Sequence, residues 1–214
     1  MSSYPLDALG IRYGTDKCSR KHDYLRTYER HVVWMRDLPV KVLELGVLNG
    51  ASLKVWRDFF PLGEIIGADY SPERAKQAGE RIAIEIGDCG DPAFLRPLAE
   101  KHGPFDLIVD DASHIWKHQQ DAFETLFPHL KPGGIYILED IHTSYIPRYG
   151  DPFGGEATVD WLKWRLNDVV MASPEFVERH TGEYNRQWRD NVHEVTFVRE
   201  SCIITKRLHK PRHA

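Results

Sequence analysis

The feature that most restricts this chain is a series of short apolar runs separated by segments patterned as helices. The runs are Val40–Leu45, Glu64–Asp69, Ile82–Ile86, Phe105–Asp110 and Gly134–Leu138. Runs this short, entered through turn residues such as Gly103-Pro104 and Pro132-Gly133-Gly134, predict strands buried on both faces, as parallel strands are. Between them the sequence predicts helices over Ser52–Phe60 and His114–Leu130, and others opening at Ser71-Pro72 and Asp91-Pro92. Each of those two pairs supplies a capping side chain followed by a first-turn proline. Consecutive β-α units of this kind specify a doubly wound sheet.

Near the end, Val192–Val198 and Cys202–Lys206 read as two strands joined by a tight turn, hence antiparallel neighbours added at one edge. The expected fold class is α/β, a Rossmann-like doubly wound, mostly parallel sheet with a terminal antiparallel strand. Tyr24, Leu25, Tyr28, Val32 and Met35 recur at helical steps and predict a helix over Asp23–Arg36 against the sheet. Before it, Leu9–Lys17 reads as a polar, glycine-containing loop, with Thr15, Asp16 and Lys17 as a capped turn. Trp161, Leu162, Leu166, Val169 and Val170 form a stripe that predicts one more core-facing helix. The stretch Ile141–Gly155 is too long and too aromatic for a simple connector, which suits a lid or acceptor-binding loop as well as a surface excursion packing its own aromatics. Ser173–Asn191 carries no pattern.

At 214 residues, one well-buried domain is expected. With 28 basic and 32 acidic residues the formal charge is −4, which gives no footing for a nucleic-acid partner. Lys206–His213 is locally basic and reads as a solvated tail. Cys18, Cys89 and Cys202 are scattered, with no C-x-x-C spacing, and read as free thiols in a reducing compartment. Neither a signal pattern at Met1–Leu6 nor an apolar run of membrane length is visible, so no membrane partner and a cytoplasmic location are expected.

Ligands of open α/β sheets bind at the carboxyl ends of the strands, and there Asp110, Asp111, His114, Glu139 and Asp140 would converge. Strand alternation sends Asp110 and Asp111 to opposite sides. Asp111, Glu139 and Asp140 around one cavity would repel one another unless compensated, and a hard divalent ion with oxygen ligands, Mg²⁺, answers that need. Independent helix capping after each strand is the plainer account of the same acids, and an N-cap or packing role the plainer account of His114. His118, four residues on, would share a helical face with His114 if the helix began there, but no H-E-x-x-H motif is present, so zinc hydrolysis is not indicated.

After the first strand, Glu44-Leu45-Gly46-Val47-Leu48-Asn49-Gly50 reads E-x-G-x-x-x-G, which departs from the G-x-G-x-x-G dinucleotide fingerprint. Gly46 allows a sharp turn close to a ligand, and the helix behind it offers free N–H groups. Asp69 follows roughly 20 residues later, where an acid that binds a ribose is expected.

Together these features resemble the class I S-adenosylmethionine-dependent methyltransferases. More narrowly, Gly14-Thr15-Asp16-Lys17, Gly50-Ala51-Ser52-Leu53, Asp110-Asp111-Ala112-Ser113-His114 and Glu139-Asp140-Ile141-His142-Thr143-Ser144-Tyr145 resemble the metal-dependent O-methyltransferases of macrolide deoxysugars. The resemblance spans roughly Gly14 to Tyr145 and weakly the last hairpin; its specific part is the pair D-D-x-S-H and E-D-x-x-T-S-Y. It implies S-adenosyl-L-methionine and Mg²⁺ as cofactors, Asp111, Glu139 and Asp140 as metal ligands and His114 as general base. Thr15, Glu44, Gly46, Ser52, Asp69, Asp88 and Asp110 fall where the family contacts its cofactor. It further implies that residues 1–38 cover the cofactor site, that 39–214 form the catalytic core, and that 141–156 form the acceptor or lid insertion. Ala112 replaces the commoner glycine, and the long amino-terminal extension of some members is not expected here.

The implied reaction is methyl transfer to a sugar hydroxyl of a glycosylated natural product, a small-molecule partner. Mg²⁺ would acidify and aim the hydroxyl, and an imidazole is suited to take its proton. Methylation of a catechol or other phenol with the same metal is an alternative. So are a protein linked to hydroxylation in β-lactam biosynthesis and a cofactor-binding subunit without turnover. Acceptor, regiochemistry and oligomeric state, a homo-oligomer included, stay open at this level.

Overall fold

The computed structural model describes residues 4–150, 155–170 and 186–208. Its strands are β1 (Lys41–Leu45), β2 (Glu64–Asp69), β3 (Ile82–Ile86), β4 (Phe105–Asp110), β5 (Leu130–Leu138), β6 (Val192–Val198) and β7 (Ser201–Lys206). They form a 7-stranded sheet of order β3-β2-β1-β4-β5-β7-β6. The pairs from β3 across to β5 are parallel, and β7 and β6 add antiparallel at the edge. The expected Rossmann-like architecture is therefore present. Chain order reverses between β1 and β4, and a crevice opens at such a switch point.

Alternation along the strands feeds two cores. Ile108 and Tyr136 face the layer that holds Phe123, Trp161 and Trp188. Leu107, Val109 and Ile137 face the layer that holds Tyr28, Trp56, Phe59 and Phe60. The helices covering the second layer are α1 (Pro5–Tyr13), α2 (Tyr24–Val32) and α3 (Ala51–Phe59). Those on the first layer are α4 (Pro92–His102), α5 (Trp116–Leu126), α6 (Thr158–Val170) and α7 (Arg186–Asn191). In the first layer Phe123 stacks on Trp188 at 4.7 Å between ring centroids, and Trp161 meets Trp188 edge-on at 5.3 Å. No helix of the described residues is long and apolar enough to cross a membrane.

Several local expectations are corrected. The stretch from Leu9 was expected as loop, yet Pro5–Tyr13 is helical, with proline in its first turn and Gly14 at φ 73 ending it. Its buried face carries Leu6, Asp7 and Gly10, a mixture in which apolar periodicity is weak. Asp7 is buried because its carboxylate accepts from the Ser19 N–H and hydroxyl, both at 2.7 Å. Helix Asp23–Arg36 is shorter than expected: α2 ends at Val32 and a 3-10 turn covers Val33–Met35. Ser71-Pro72 opens a 3-10 turn, Pro72–Gln77, in which Ser71 makes no side-chain cap, whereas Asp91 does cap α4 by accepting from the Ala93 N–H. The helix expected from His114 starts at Trp116, and His114 itself sits at φ 56. Of the stripe on α6, Trp161 and Leu162 are buried but Val170 is 79% exposed. Most of Ser173–Asn191 and of the basic tail lies outside the described residues, apart from α7, whose Trp188 completes the aromatic core.

Candidate active site

The carboxyl ends of β1, β2, β4 and β5 meet at the switch point. Gly46 leaves β1 at φ +90, and a Cβ there would lie 2.1 Å from the Asp111 carbonyl oxygen. Glycine is therefore required twice over, for its backbone angle and for its contact with the chain leaving β4. At the end of β2, Asp69 Oδ2 accepts from the Val47 and Leu48 N–H groups at 2.9 and 3.4 Å, and Oδ1 accepts from the Ser71 N–H at 2.9 Å. That carboxylate braces the glycine turn.

A cavity of about 390 Å³ opens beside it. Of the residues singled out from sequence, Thr15, Gly46, Ser52, Asp69, Asp111, His114 and Asp140 line it; Glu44, Asp88, Asp110 and Glu139 do not. Asp88 is exposed and accepts from the Gly90 N–H at 2.8 Å. Asp110 points to the opposite side of the sheet from Asp111, as alternation requires, and is buried where it accepts from the Tyr136 hydroxyl at 3.1 Å. Burial pushes its carboxyl up to about 7, against the pull of the Tyr136 hydrogen bond.

Asp111, His114 and Asp140 each offer a donor atom within 4.8 Å of the others, a grouping able to hold a metal ion. His114 Nε2 lies 3.5 Å from Asp140 Oδ2 and 3.9 Å from Asp111 Oδ1. The positive φ of His114 and of Asp140 (φ 56 each) turns both residues out of the strand direction into the crevice. Thr143 bridges them by donating to the Asp140 carbonyl at 2.8 Å and the His114 carbonyl at 3.2 Å.

Glu139 belongs to an adjoining group. Lys17, 2% exposed, donates from Nζ to Asp111 Oδ2 and to Glu139 Oε2, the latter at 2.6 Å, and lies 3.8 Å from Glu44 Oε1. Burial alone would favour a neutral amine, but Asp111, Glu139 and Glu44 outweigh it and hold the Lys17 ammonium well above its ordinary pKa. Burial raises Glu139 and Glu44, the latter to about 7, and in both the ammonium opposes the rise. Glu139 Oε1 is buried with no hydrogen-bond partner.

Sequence reasoning treated Lys17 as part of a turn and passed over Tyr24, Gln119 and Glu200. The Tyr24 hydroxyl donates to Asp140 Oδ1 and Glu200 Oε2, both at 2.9 Å, and burial followed by the charge of Asp140 raises its pKa. Gln119 donates to the Glu139 carbonyl at 2.9 Å and accepts from the Thr158 hydroxyl at 2.7 Å, tying α5 and α6 to the rim. Only the Gly14–Lys17 motif carried any signal for these contacts.

Residues 42–134 match a family model described as a methyltransferase domain, the class that the fold and this rim resemble. Within that class the chain resembles the sugar O-methyltransferases of glycosylated antibiotics. It is 39% identical over 186 residues to the L-olivosyl-oleandolide 3-O-methyltransferase of Streptomyces antibioticus, covering 83% of this chain and 48% of the relative. It is 40% identical over 194 residues to the mycinamicin VI 2''-O-methyltransferase of Micromonospora griseorubida, covering 82% and 48%. Among solved structures, MycE methyltransferase from the mycinamycin biosynthetic pathway, in complex with Mg and SAH, superimposes with a TM-score of 0.85 at 30% identity, over 95% of this chain and 53% of that one. The chain thus spans about half the length of the curated relatives it matches.

Proposed function

We propose that this chain is an S-adenosylmethionine-dependent O-methyltransferase that uses Mg²⁺ to methylate a sugar hydroxyl of a glycosylated natural product. The observation that carries the reading is the shared cavity: the Gly46 turn and Asp69 open onto the same space as Asp111, His114 and Asp140. Sequence similarity to enzymes that methylate sugars supports the acceptor class.

The donor set suits a hard divalent ion. Asp111 and Asp140 offer carboxylate oxygens, and the unpartnered Oε1 of Glu139 is a buried acceptor that lacks the hydrogen bond such groups normally have. Asp111, Glu139 and Asp140 would hold Mg²⁺, with Asp111 common to both groups at the rim. Bound there, the ion would supply Lewis acidity to the hydroxyl and fix its direction.

The chain's own residues do the rest. His114 takes the hydroxyl proton on Nε2, the ring nitrogen that faces the carboxylates. Thr143 holds the backbone of His114 in place. Residues 1–38 act as the cover of the cofactor cavity, which Gly14–Lys17 help to line. Residues 141–156 border the acceptor side, and the bond from Trp116 Nε1 to the Thr143 carbonyl at 2.9 Å secures the beginning of that segment. Residues 151–154 lie outside the described residues.

The test is transfer of a labelled methyl group from S-adenosylmethionine to a panel of macrolide glycosides and catechols, with Mg²⁺ or EDTA. Labelled sugar methyl ethers that vanish with EDTA, and with Asp111→Ala or His114→Ala, are the expected outcome. Labelling of catechols alone would select the phenolic alternative, and undiminished transfer in EDTA would remove the metal from the reaction.

A further inference from the structure

The three carboxylates at the rim share a pattern that the β-α core does not create. One oxygen of each is tied to residues 17–24, which precede the first strand. Lys17 Nζ engages Asp111 Oδ2 and Glu139 Oε2, and the Tyr24 hydroxyl engages Asp140 Oδ1. The other oxygens are left over. Asp111 Oδ1 and Asp140 Oδ2 face His114 Nε2, and Glu139 Oε1 is buried without a partner.

A carboxylate turns about a broad, roughly two-fold terminal torsion, so its two oxygens exchange places easily unless one is anchored. Partners outside the coordination sphere remove that freedom at metal sites and orient the ligands. Here the anchors are well placed for the task. Lys17 is 2% exposed and Tyr24 4% exposed, so neither bond competes freely with water. The Lys17 ammonium also offsets the mutual repulsion of Asp111, Glu139 and Glu44. Tyr24 is braced in turn by Glu200, which sits at φ 61 in the turn between β6 and β7 and whose carbonyl accepts from the Ile141 N–H at 2.9 Å. The turn after β5 and the terminal hairpin are thereby locked to the same phenol.

We propose that Lys17 and Tyr24 are positioning residues of the divalent-cation site, fixing which oxygen of Asp111, Glu139 and Asp140 is presented to the ion. The inference rests on the metal reading given above, and direct metal binding separates the two. Metal-stripped protein is titrated with Mn²⁺ and the free-ion EPR signal is followed for the wild type, Asp111→Asn, Lys17→Met and Tyr24→Phe.

The wild type should bind Mn²⁺ and Asp111→Asn should lose it, while Lys17→Met and Tyr24→Phe should bind on the order of 10- to 100-fold more weakly. In turnover, Tyr24→Phe should raise the Mg²⁺ concentration needed for half-activation and recover most of kcat at saturating Mg²⁺, with KM for S-adenosylmethionine unchanged. Removing a merely structural contact would not produce that rescue. Failure of the wild type to bind Mn²⁺ overturns the metal reading itself. Wild-type affinity retained in both Lys17→Met and Tyr24→Phe overturns the positioning roles alone. Lys17→Met leaves Glu139 buried without a counter-charge and can fail to fold, so its folding is checked by circular dichroism and wild-type affinity in the folded variant overturns the role of Lys17; Tyr24→Phe keeps the ring and its packing, and decides the role of Tyr24 by itself.

Discussion

Gly46→Ala is the sharpest test of how the crevice is built, because the cost divides into two parts that other glycines isolate. At φ +90 an L residue is strained, which costs about 1–2 kcal/mol. The new Cβ would also stand 2.1 Å from the Asp111 carbonyl oxygen and 2.8 Å from its carbon. Backbone cannot swing aside as a side chain does, and the Asp111 N–H is already committed to the Leu45 carbonyl at 3.0 Å. Relieving such an overlap costs about 1–3 kcal/mol more. For a domain of this size the total corresponds to a fall in Tm on the order of 10 °C. Gly14 has φ +73 with nothing within 4 Å of an added Cβ, so Gly14→Ala carries the strain alone; Gly79 has neither burden, and Gly79→Ala should be neutral or stabilising by about 0.4–1 kcal/mol. Thermal melts followed by circular dichroism should rank the variants Gly79→Ala, Gly14→Ala, Gly46→Ala in order of increasing loss. Calorimetry should show S-adenosylhomocysteine binding weakened in Gly46→Ala and unchanged in Gly79→Ala. If Gly46→Ala melts with Gly14→Ala and binds normally, the close approach of β1 and β4 at the rim is not what requires the glycine.

Two further perturbations probe the packing of the fold. Gln119→Leu strips partners from the Glu139 carbonyl and the Thr158 hydroxyl, both buried, and should cost about 2 kcal/mol in urea unfolding; unchanged stability would mean that this bridge from α5 to α6 contributes nothing net. His31 has its pKa lowered by burial and by Arg30, with Glu194 opposing. Its unfolded form therefore protonates first as pH falls, so stability present above about pH 6.5 should decline below it. His31→Gln should flatten that decline, and parallel curves for variant and wild type would show that His31 is not its source.

The β-α alternation was legible because strands buried on both faces must be continuously apolar, and five such runs in order leave few topologies open. Gly46 was legible for a similar reason, because its turn leaves a local signature; Asp69 reads from sequence as a ribose-binding acid, and its bonds to the Val47, Leu48 and Ser71 N–H groups were not legible there. Strand parity alone separated Asp110 from Asp111, and the structure places them on opposite sides. The start of α5 was misplaced because nothing in Ser113-His114-Ile115 announces that His114 takes a left-handed conformation. Helix α1 was missed because its buried face includes Asp7 and Gly10, which dilute the apolar period.

What the sequence by itself determined is the succession of strands along the chain, their burial and the placing of acids at strand ends, since each depends on residues a few positions apart. Which oxygens meet which partners was decided only by tertiary structure. Lys17 reaches Asp111 across 94 positions and Glu139 across 122, and Tyr24 reaches Glu200 across 176. Contacts at such separations come from two layers packing on a common sheet, and no local pattern in the chain encodes them.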